Sequence, residues 1–403
     1  MSPPRVAVIG GGVAACSLAH GLRDSLASRA VSLHVFEMGR ASGGRAATRG
    51  TRDDPGLRVD HGVPAFAALT PEFGALCESL VAADVLRRCD GDGSAFGVLR
   101  SSGTFEAEDA AGAPTRYRPP VGKGMNALCD GLLGGESTLA NFTPSTMVTK
   151  VEPVAAQWRL TSKGGVDLGT FDWLVVSSTG LAHPRWRTTF GGEPPLVEAA
   201  AALGDTALDA TLAALVPLQS KPAAMLAYGS DAAAAWASLP FFKAQVEADP
   251  VLSRIVVQRV SQSLTAVVLH STHEFARSAA HVYGATSTAA RIAGAKSDAG
   301  EEGRILDAML VAAEKRLGGL LGPAAAMRSP AWGPHLHRWG AAFPDAPLLP
   351  EGRAVVPSAR VAFCGDFVEG GEGRGGSVEG AALSGLRLAK ALQREIGGLC
   401  GAD

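Results

Sequence analysis

Short unbroken apolar runs alternate with stretches of 3.6-residue period along this chain, and that alternation predicts an α/β protein. Val6 to Ile9 is an apolar run of the kind buried on both faces of a parallel sheet, and an amphipathic segment follows from Cys16 to Leu26. Val31 to Phe36 is a second such run and Val361 to Cys364 another, the latter leading through glycines into a helix that starts near Val378. Between these ends, residues 147–151 and 157–162 alternate as a hairpin, and residues 171–180 read as a buried strand entering a turn. Residues 116–133 are a loop entering a helix with Met125, Leu128, Leu132 and Leu133 on one face. Residues 190–330 mix helical stretches near 195–204, 231–248 and 300–321 with β-rich runs at 208–217, 222–228, 254–259 and 264–270. That mixture predicts a second sheet with covering helices, continued by residues 75–120 and inserted between segments of the first domain.

Composition sharpens the class. With 403 residues, 46% hydrophobic and 19% charged, the chain can bury two domain-sized cores. Its 50 glycines and 24 prolines follow no fixed period, which excludes collagen-like and low-complexity readings, and no internal repeat is evident. A net charge of −2 with scattered basic residues points away from nucleic acid and lipid surfaces, leaving a small molecule as the expected partner. The six cysteines form no CxxC pair, so reduced thiols in a reducing compartment are expected. His335 and His337 lie close together without a carboxylate or thiol at ligand spacing, and no metal is expected. No run of about 18 apolar residues predicts a membrane span. The first strand begins at Arg5 and leaves no room for a leader, so the expected location is the cytoplasm, or an organelle stroma or matrix if a transit peptide was removed. The sequence gives no oligomeric state.

The candidate chemistry lies at the two ends. Gly10-Gly11-Gly12-Val13-Ala14-Ala15 follows the first strand as G-x-G-x-x-A. Gly10 permits the turn, Gly12 lets a pyrophosphate approach the backbone, and Ala15 is small enough for the helix to pack on the strand. The helix N-terminus then faces the phosphates. Glu37 ends the second apolar run, 25 residues after Gly12 (37 − 12), where a carboxylate accepts from adenosine ribose hydroxyls and repels a 2′-phosphate. Gly43, Gly44 and Arg45 stand just beyond, where the chain can run beside an extended diphosphate with Arg45 as a charge-assisted donor. Near the other end, Gly365-Asp366 precedes a glycine-rich loop and the helix from Val378, whose small residues, among them Gly380, Ala381 and Gly385, let it pass close to the sheet.

The pairing of "GGGVAA" with "EMGRASGGR" resembles the flavin-binding signature of amine oxidases, carotenoid desaturases and renalase. Within that superfamily, "GRAATR" (44–49), "VDHGVPAF" (59–66), "HLHRWGAAFP" (335–344) and "CGDF…SVEGAALSG" resemble the renalase group most. The resemblance implies FAD as cofactor and a p-hydroxybenzoate hydroxylase-like fold. A discontinuous Rossmann-type FAD-binding domain would comprise residues 1–74, 121–189 and 331–403, and an α+β substrate domain residues 75–120 and 190–330, with the active site at their junction. It places Gly365 and Asp366 on the diphosphate or ribityl chain, the helix N-terminus at Val378 on the flavin pyrimidine edge, and the backbone around Val148 on adenine. Trp339 would line the substrate pocket or fill the core. His337 and Arg338 would touch substrate or flavin, and His61 would lie near the flavin. Lys123 would organise a water beside flavin N5 or be an exposed loop lysine. The implied activity is oxidation of a small reduced donor, such as a dihydronicotinamide isomer, by hydride transfer to N5 with electrons passed to O2. Two alternatives stay open. A monoamine or polyamine oxidase would normally build its cage from tyrosines, and the chain has only Tyr117, Tyr228 and Tyr283, none near the terminal motifs. A non-catalytic flavin-binding scaffold or assembly factor is suggested by "STGLAHPRW", which replaces the usual Ala-x-Pro, and by the loosely matching middle.

Overall fold

Val6, Ala7 and Val8 have no exposed surface, because their strand is the middle of a sheet covered on both faces. The computed structural model describes residues 2–51, 54–90, 95–215, 218–282, 284–285, 287, 294, 298–370 and 375–400. The chain divides into two units, one of residues 1–46, 126–218 and 343–403, the other of residues 47–125 and 219–342.

The first unit is doubly wound. Strands β1 (Arg5–Ile9), β2 (Ser32–Phe36), β3 (Asn141–Thr143), β4 (Trp173–Val176), β5 (Val355–Val356) and β6 (Val361–Phe363) lie in the order β3-β2-β1-β4-β6-β5. All pairings are parallel except that of the edge strand β5. Helices α1 (Val13–Gly21), α2 (Asn126–Leu133) and α3 (Val378–Cys400) belong to this unit. Leu18 of α1 and Leu388 and Leu392 of α3 are buried in one cluster with Val6, Val8 and Val35, each worth about 1.5–3 kcal/mol. A three-stranded antiparallel sheet (Val148–Val154, Gln157–Ser162, Asp167–Phe171) and the helix Pro195–Leu203 bury Trp158, Phe171 and Leu196 with Ala7, Leu174 and Val176. The small residues of α3 serve its approach to α1 rather than to the sheet alone. A Cβ on Gly385 would stand 2.2 Å from the Ala14 carbonyl oxygen, and one on Gly21 would stand 2.6 Å from the Ala389 Cβ.

The second unit is built on a seven-stranded sheet, in the order 332–344, 218–229, 264–271, 252–259, 243–246, 96–99 and 105–107. Trp236 of the helix Ser230–Ala237 and Ile305, Met309 and Ala313 of the helix Ala299–Leu317 share a core with Leu226, Val257 and Leu269 of the sheet. The longer helix carries its own end signals. The Asp298 side chain accepts from the Gly300 and Glu301 N–H groups, acids fill the first turn, and Lys315 and Arg316 stand in the last. Ala223, Met225, Val256, Ala266 and Val268 of the sheet form a different cluster with Leu57, Val59 and Ala65, which come from the short hairpin and loop that open this unit.

Several expectations are corrected. The unit boundaries move because residues 47–74 build hairpins beside the seven-stranded sheet and residues 331–342 form its edge strand, while helices after residue 190 pack on the Val148–Val154 strand. Residues 206–213 are a helix rather than part of a β-rich run, since Asp205 caps the Leu208 N–H and Leu208 and Thr211 share one buried face. The helix expected over 231–248 stops at Ala237. Lys243–Val246 is a strand because it finds a parallel partner in Phe96–Leu99. The Cys16–Leu26 segment is divided into α1 and a short helix Arg23–Ala27.

Candidate functional site

Three consecutive glycines after β1 do three different things. Gly10 sits at φ +106°, and a Cβ there would meet the Ser177 Oγ at 2.8 Å. Only glycine holds that turn without strain. A Cβ on Gly11 would stand 2.7 Å from the Phe142 ring, and its N–H donates to Glu37 Oε2 at 2.6 Å. Gly12 precedes α1 at an ordinary φ of −83°, and a Cβ there would find no protein atom nearer than the Gly43 carbonyl at 4.0 Å. The protein therefore does not need a glycine at 12 for its own packing; the missing side chain leaves room beside the α1 N-terminus. Ala15 is fully buried in the core beneath.

The remaining residues predicted at this end surround the same turn. The Gly43 N–H donates to the Gly11 carbonyl at 2.8 Å, and a Cβ on Gly44, at φ +55°, would stand 3.4 Å from the Gly12 Cα. Glu37 ends β2 with one carboxylate oxygen on Gly11 and the other accepting the Gly39 N–H at 2.5 Å. Burial pushes its pKa up while these two N–H groups pull it back. The Thr146 N–H donates to the Glu37 carbonyl at 2.8 Å, which brings the buried Val148 to the end of β2. Arg45 makes a two-pronged ion pair with Asp366, at 2.6 and 2.5 Å, across 321 residues of sequence. Asp366 is 3% exposed, and the guanidinium fork supplies a donor to each of its carboxylate oxygens. α3 secures this end: Ser384 Oγ accepts the Gly365 N–H at 2.8 Å, the Gly376 N–H reaches the Asp366 carbonyl at 3.1 Å, and Ser377 Oγ accepts the Gly380 N–H just before the helix begins at Val378. Gly10, Gly12, Ala15, Glu37, Gly44, Arg45, Val148, Gly365, Asp366 and Val378 thus belong to one neighbourhood of the first unit. Gly11 belongs with them and was not singled out from sequence; the run of three glycines was its only signal.

The other candidates lie in the second unit. His61 stacks on Trp339 with ring centroids 4.8 Å apart, His337 meets His61 edge-on at 4.7 Å, and His337 meets Trp339 at 4.4 Å. Burial, helped by the Arg49 charge, pushes the His61 pKa down to about 4, so the imidazole is neutral at pH 7. The buried His61 Nδ1 and Trp339 Nε1 have no hydrogen-bond partner among the described residues. Arg338 lies between them on the edge strand. Lys123 is half-exposed, its Nζ 2.8 Å from the Asp84 carboxylate and 2.7 Å from the Asp84 carbonyl.

Asp60, next to His61, is the titratable group that sequence reading missed. Its carboxylate accepts Thr48 Oγ1 at 2.6 Å and the Met125 N–H at 2.9 Å, and burial pushes its pKa up to about 6. Gln258 clamps the Asp60 backbone, accepting its N–H and donating to its carbonyl, both at 3.0 Å. The signal was present in "RVDHGVPAF", a lone carboxyl in an otherwise apolar and aromatic segment. Among the described residues no His, Cys, Asp and Glu grouping could hold a metal ion, and no helix is long and apolar enough to cross a membrane.

With this geometry in place, comparison with known proteins gives the fold a context. Residues 8–80 match the family model of an NAD(P)-binding Rossmann-like domain. No curated protein matches the sequence. Among solved structures, one assigned as a protoporphyrinogen oxidase from Exiguobacterium sp. 255-15 aligns over 98% of this chain and 100% of its own, with TM-score 0.58 and 12% identity. A putrescine oxidase variant redesigned in cofactor binding aligns over 97% and 99%, with TM-score 0.60 and 13% identity. Wild-type putrescine oxidase bound to putrescine aligns over 97% and 99%, with TM-score 0.57 and 12% identity. At such identities the likeness is one of fold alone.

Proposed function

We propose that the protein is an FAD-dependent oxidoreductase of renalase-like type that oxidises a small reduced donor. The observation that carries this is the room left at Gly12, beside the α1 N-terminus, with the Gly43–Gly44 backbone next to it and Glu37 held on the neighbouring Gly11 N–H. Phosphates held there would meet helix N–H groups and the positive end of the helix dipole. Glu37 would take the adenosine ribose hydroxyls on its remaining lone pairs. Arg45, steadied by Asp366, would bring a fixed positive charge to the diphosphate, and the start of α3 would offer its first N–H groups to the far end of the cofactor.

Bound FAD would supply the two-electron acceptor for a hydride from the donor, with dioxygen reoxidising it to give hydrogen peroxide. The chain's own part is to hold the donor and keep charge away from the reacting carbon. His61, His337 and Trp339 would give it an aromatic wall in which His61 carries no charge at neutral pH. The likeness to putrescine oxidase supports a second reading, amine oxidation. Against it, the Tyr117 hydroxyl is tied to Glu78 and the Tyr228 hydroxyl to the Met327 carbonyl, so neither is available for a tyrosine cage; Tyr283 lies outside the described residues. Anaerobic mixing with dihydronicotinamide isomers and with amines tests the choice. Bleaching of the flavin by the former supports the proposal, bleaching by amines alone replaces it with the second reading, and no bleaching by either favours a non-catalytic flavin scaffold.

A further inference from the structure

The segment that stands beside Gly12 is not held by its own backbone. Gly43 and Gly44 follow one another at φ +123° and +55°, a conformation that two glycines leave at little cost. Three contacts fix it instead. The Gly43 N–H donates to the Gly11 carbonyl at 2.8 Å, Arg45 forks onto Asp366, and the buried Ser42 donates its hydroxyl to Asp130 Oδ1 at 2.5 Å, across 88 residues of sequence. Asp130 lies on α2 and is a firm anchor. Its Oδ2 accepts from Asn126 Nδ2 at 3.1 Å, one helical turn earlier, and the adjacent Leu128, Cys129 and Leu132 are buried. α2 packs in turn on α1, where Cys129 is a hydrogen-bond partner of the Cys16 thiol in the first turn. The Asp130 carboxylate meets no cationic side chain among the described residues. A carboxylate has the wrong charge to hold a phosphate, so what it gives this neighbourhood is geometry.

We propose that Asp130 is a positioning residue for the cofactor: through Ser42 it sets the Gly43–Gly44 backbone and Arg45 for the diphosphate before FAD arrives. The inference rests on the proposed FAD site. Without the anchor the glycine pair samples other conformations in the free protein, and FAD binding has to restore a single one. With the anchor, that ordering is complete beforehand. The cost of breaking the Ser42–Asp130 bond therefore appears in FAD affinity and not only in the stability of the fold.

The test is a double-mutant cycle on FAD affinity, read by flavin fluorescence as the full-length apoprotein is titrated with FAD, with apoprotein melting temperatures alongside. Asp130→Ala and Ser42→Ala should each weaken binding on the order of tenfold, the loss of one hydrogen bond to a charged group, and the double variant should be no weaker than either. Asp130→Asn should restore the affinity, because its amide oxygen still accepts from Ser42 while the Asn126 amide turns its own oxygen to the new N–H. Asp130 is exposed and Ser42→Ala removes a single oxygen, so the fold is retained, which the melting temperatures check. Wild-type affinity in both alanine variants, whatever their melting temperatures, makes the bond structural only and overturns the inference. Losses that multiply in the double variant, or an asparagine variant as weak as the alanine one, overturn it too. Wild-type protein without saturable FAD binding removes the FAD reading and the inference with it, whereas wild-type binding that the variants leave untouched removes the inference alone.

Discussion

Replacing Gly12 with valine separates the needs of the fold from those of a cofactor. At φ −83° the backbone suits any residue, and a Cβ would have no protein atom within 4 Å other than the Gly43 carbonyl at that limit. The residue caps α1 without a side-chain hydrogen bond, so the cost to the protein alone is the poorer N-cap propensity of valine, about 1 kcal/mol. A bound diphosphate would lose far more. Displacing it from the α1 N-terminus removes at least one charge-assisted hydrogen bond, worth roughly 1.5–3 kcal/mol, together with a helix-dipole contribution of roughly 0.3–1 kcal/mol. The sum of about 2–4 kcal/mol weakens FAD binding by a factor on the order of 30 to 1,000. The assay is the flavin-to-protein absorbance ratio of the purified variant, a titration of the stripped protein with FAD, and the melting temperature of both apoproteins. The expected outcome is an apoprotein melting within a few degrees of wild type that retains little flavin. Stoichiometric FAD with unchanged affinity in Gly12→Val would refute the reasoning, since the space at residue 12 would then have no ligand to accommodate.

Three further outcomes follow from the same geometry. Glu37→Arg should yield protein without FAD, because the ribose hydroxyls lose their acceptor and the Gly11 and Gly39 N–H groups lose theirs; full flavin content by absorbance contradicts that role. Gly385→Val should instead damage the fold, since its Cβ would stand 2.2 Å from the Ala14 carbonyl oxygen, and a loss of about 1–3 kcal/mol in denaturant unfolding is expected. Asp60 is held protonated to higher pH in the folded protein than in the unfolded chain, so it favours folding below about pH 4 and that contribution is lost as pH rises through about 6. Asp60→Asn should therefore stabilise the protein on the order of 2 kcal/mol at pH 8 and little at pH 4; equal effects at both pH values in thermal melts refute the burial of this charge.

What could be read from the sequence was local chemistry, and what could not was long-range pairing. Gly10, Gly12 and Glu37 were legible because a strand, a tight turn and an acid at a fixed distance constrain one another within 40 residues. The ion pair of Arg45 with Asp366 was not, although each was singled out separately, because only the sheet brings residues 321 apart in sequence together. Residues 206–213 show why periodicity fails in alanine-rich segments: small residues fit a strand or a helix, and the Asp205 cap decides. The strand Lys243–Val246 is specified by its partner Phe96–Leu99 rather than by its own residues. Asp60 escaped notice since burial, the cause of its raised pKa, is a property of the packed unit and not of the segment "VDHG".

The measurement that bears most directly on the whole account is the absorption spectrum and cofactor extraction of the protein after reconstitution with FAD. One tightly held FAD per chain, lost in Gly12→Val, is the predicted result. Protein that stays colourless, with no saturable FAD binding by the wild-type chain, would contradict it.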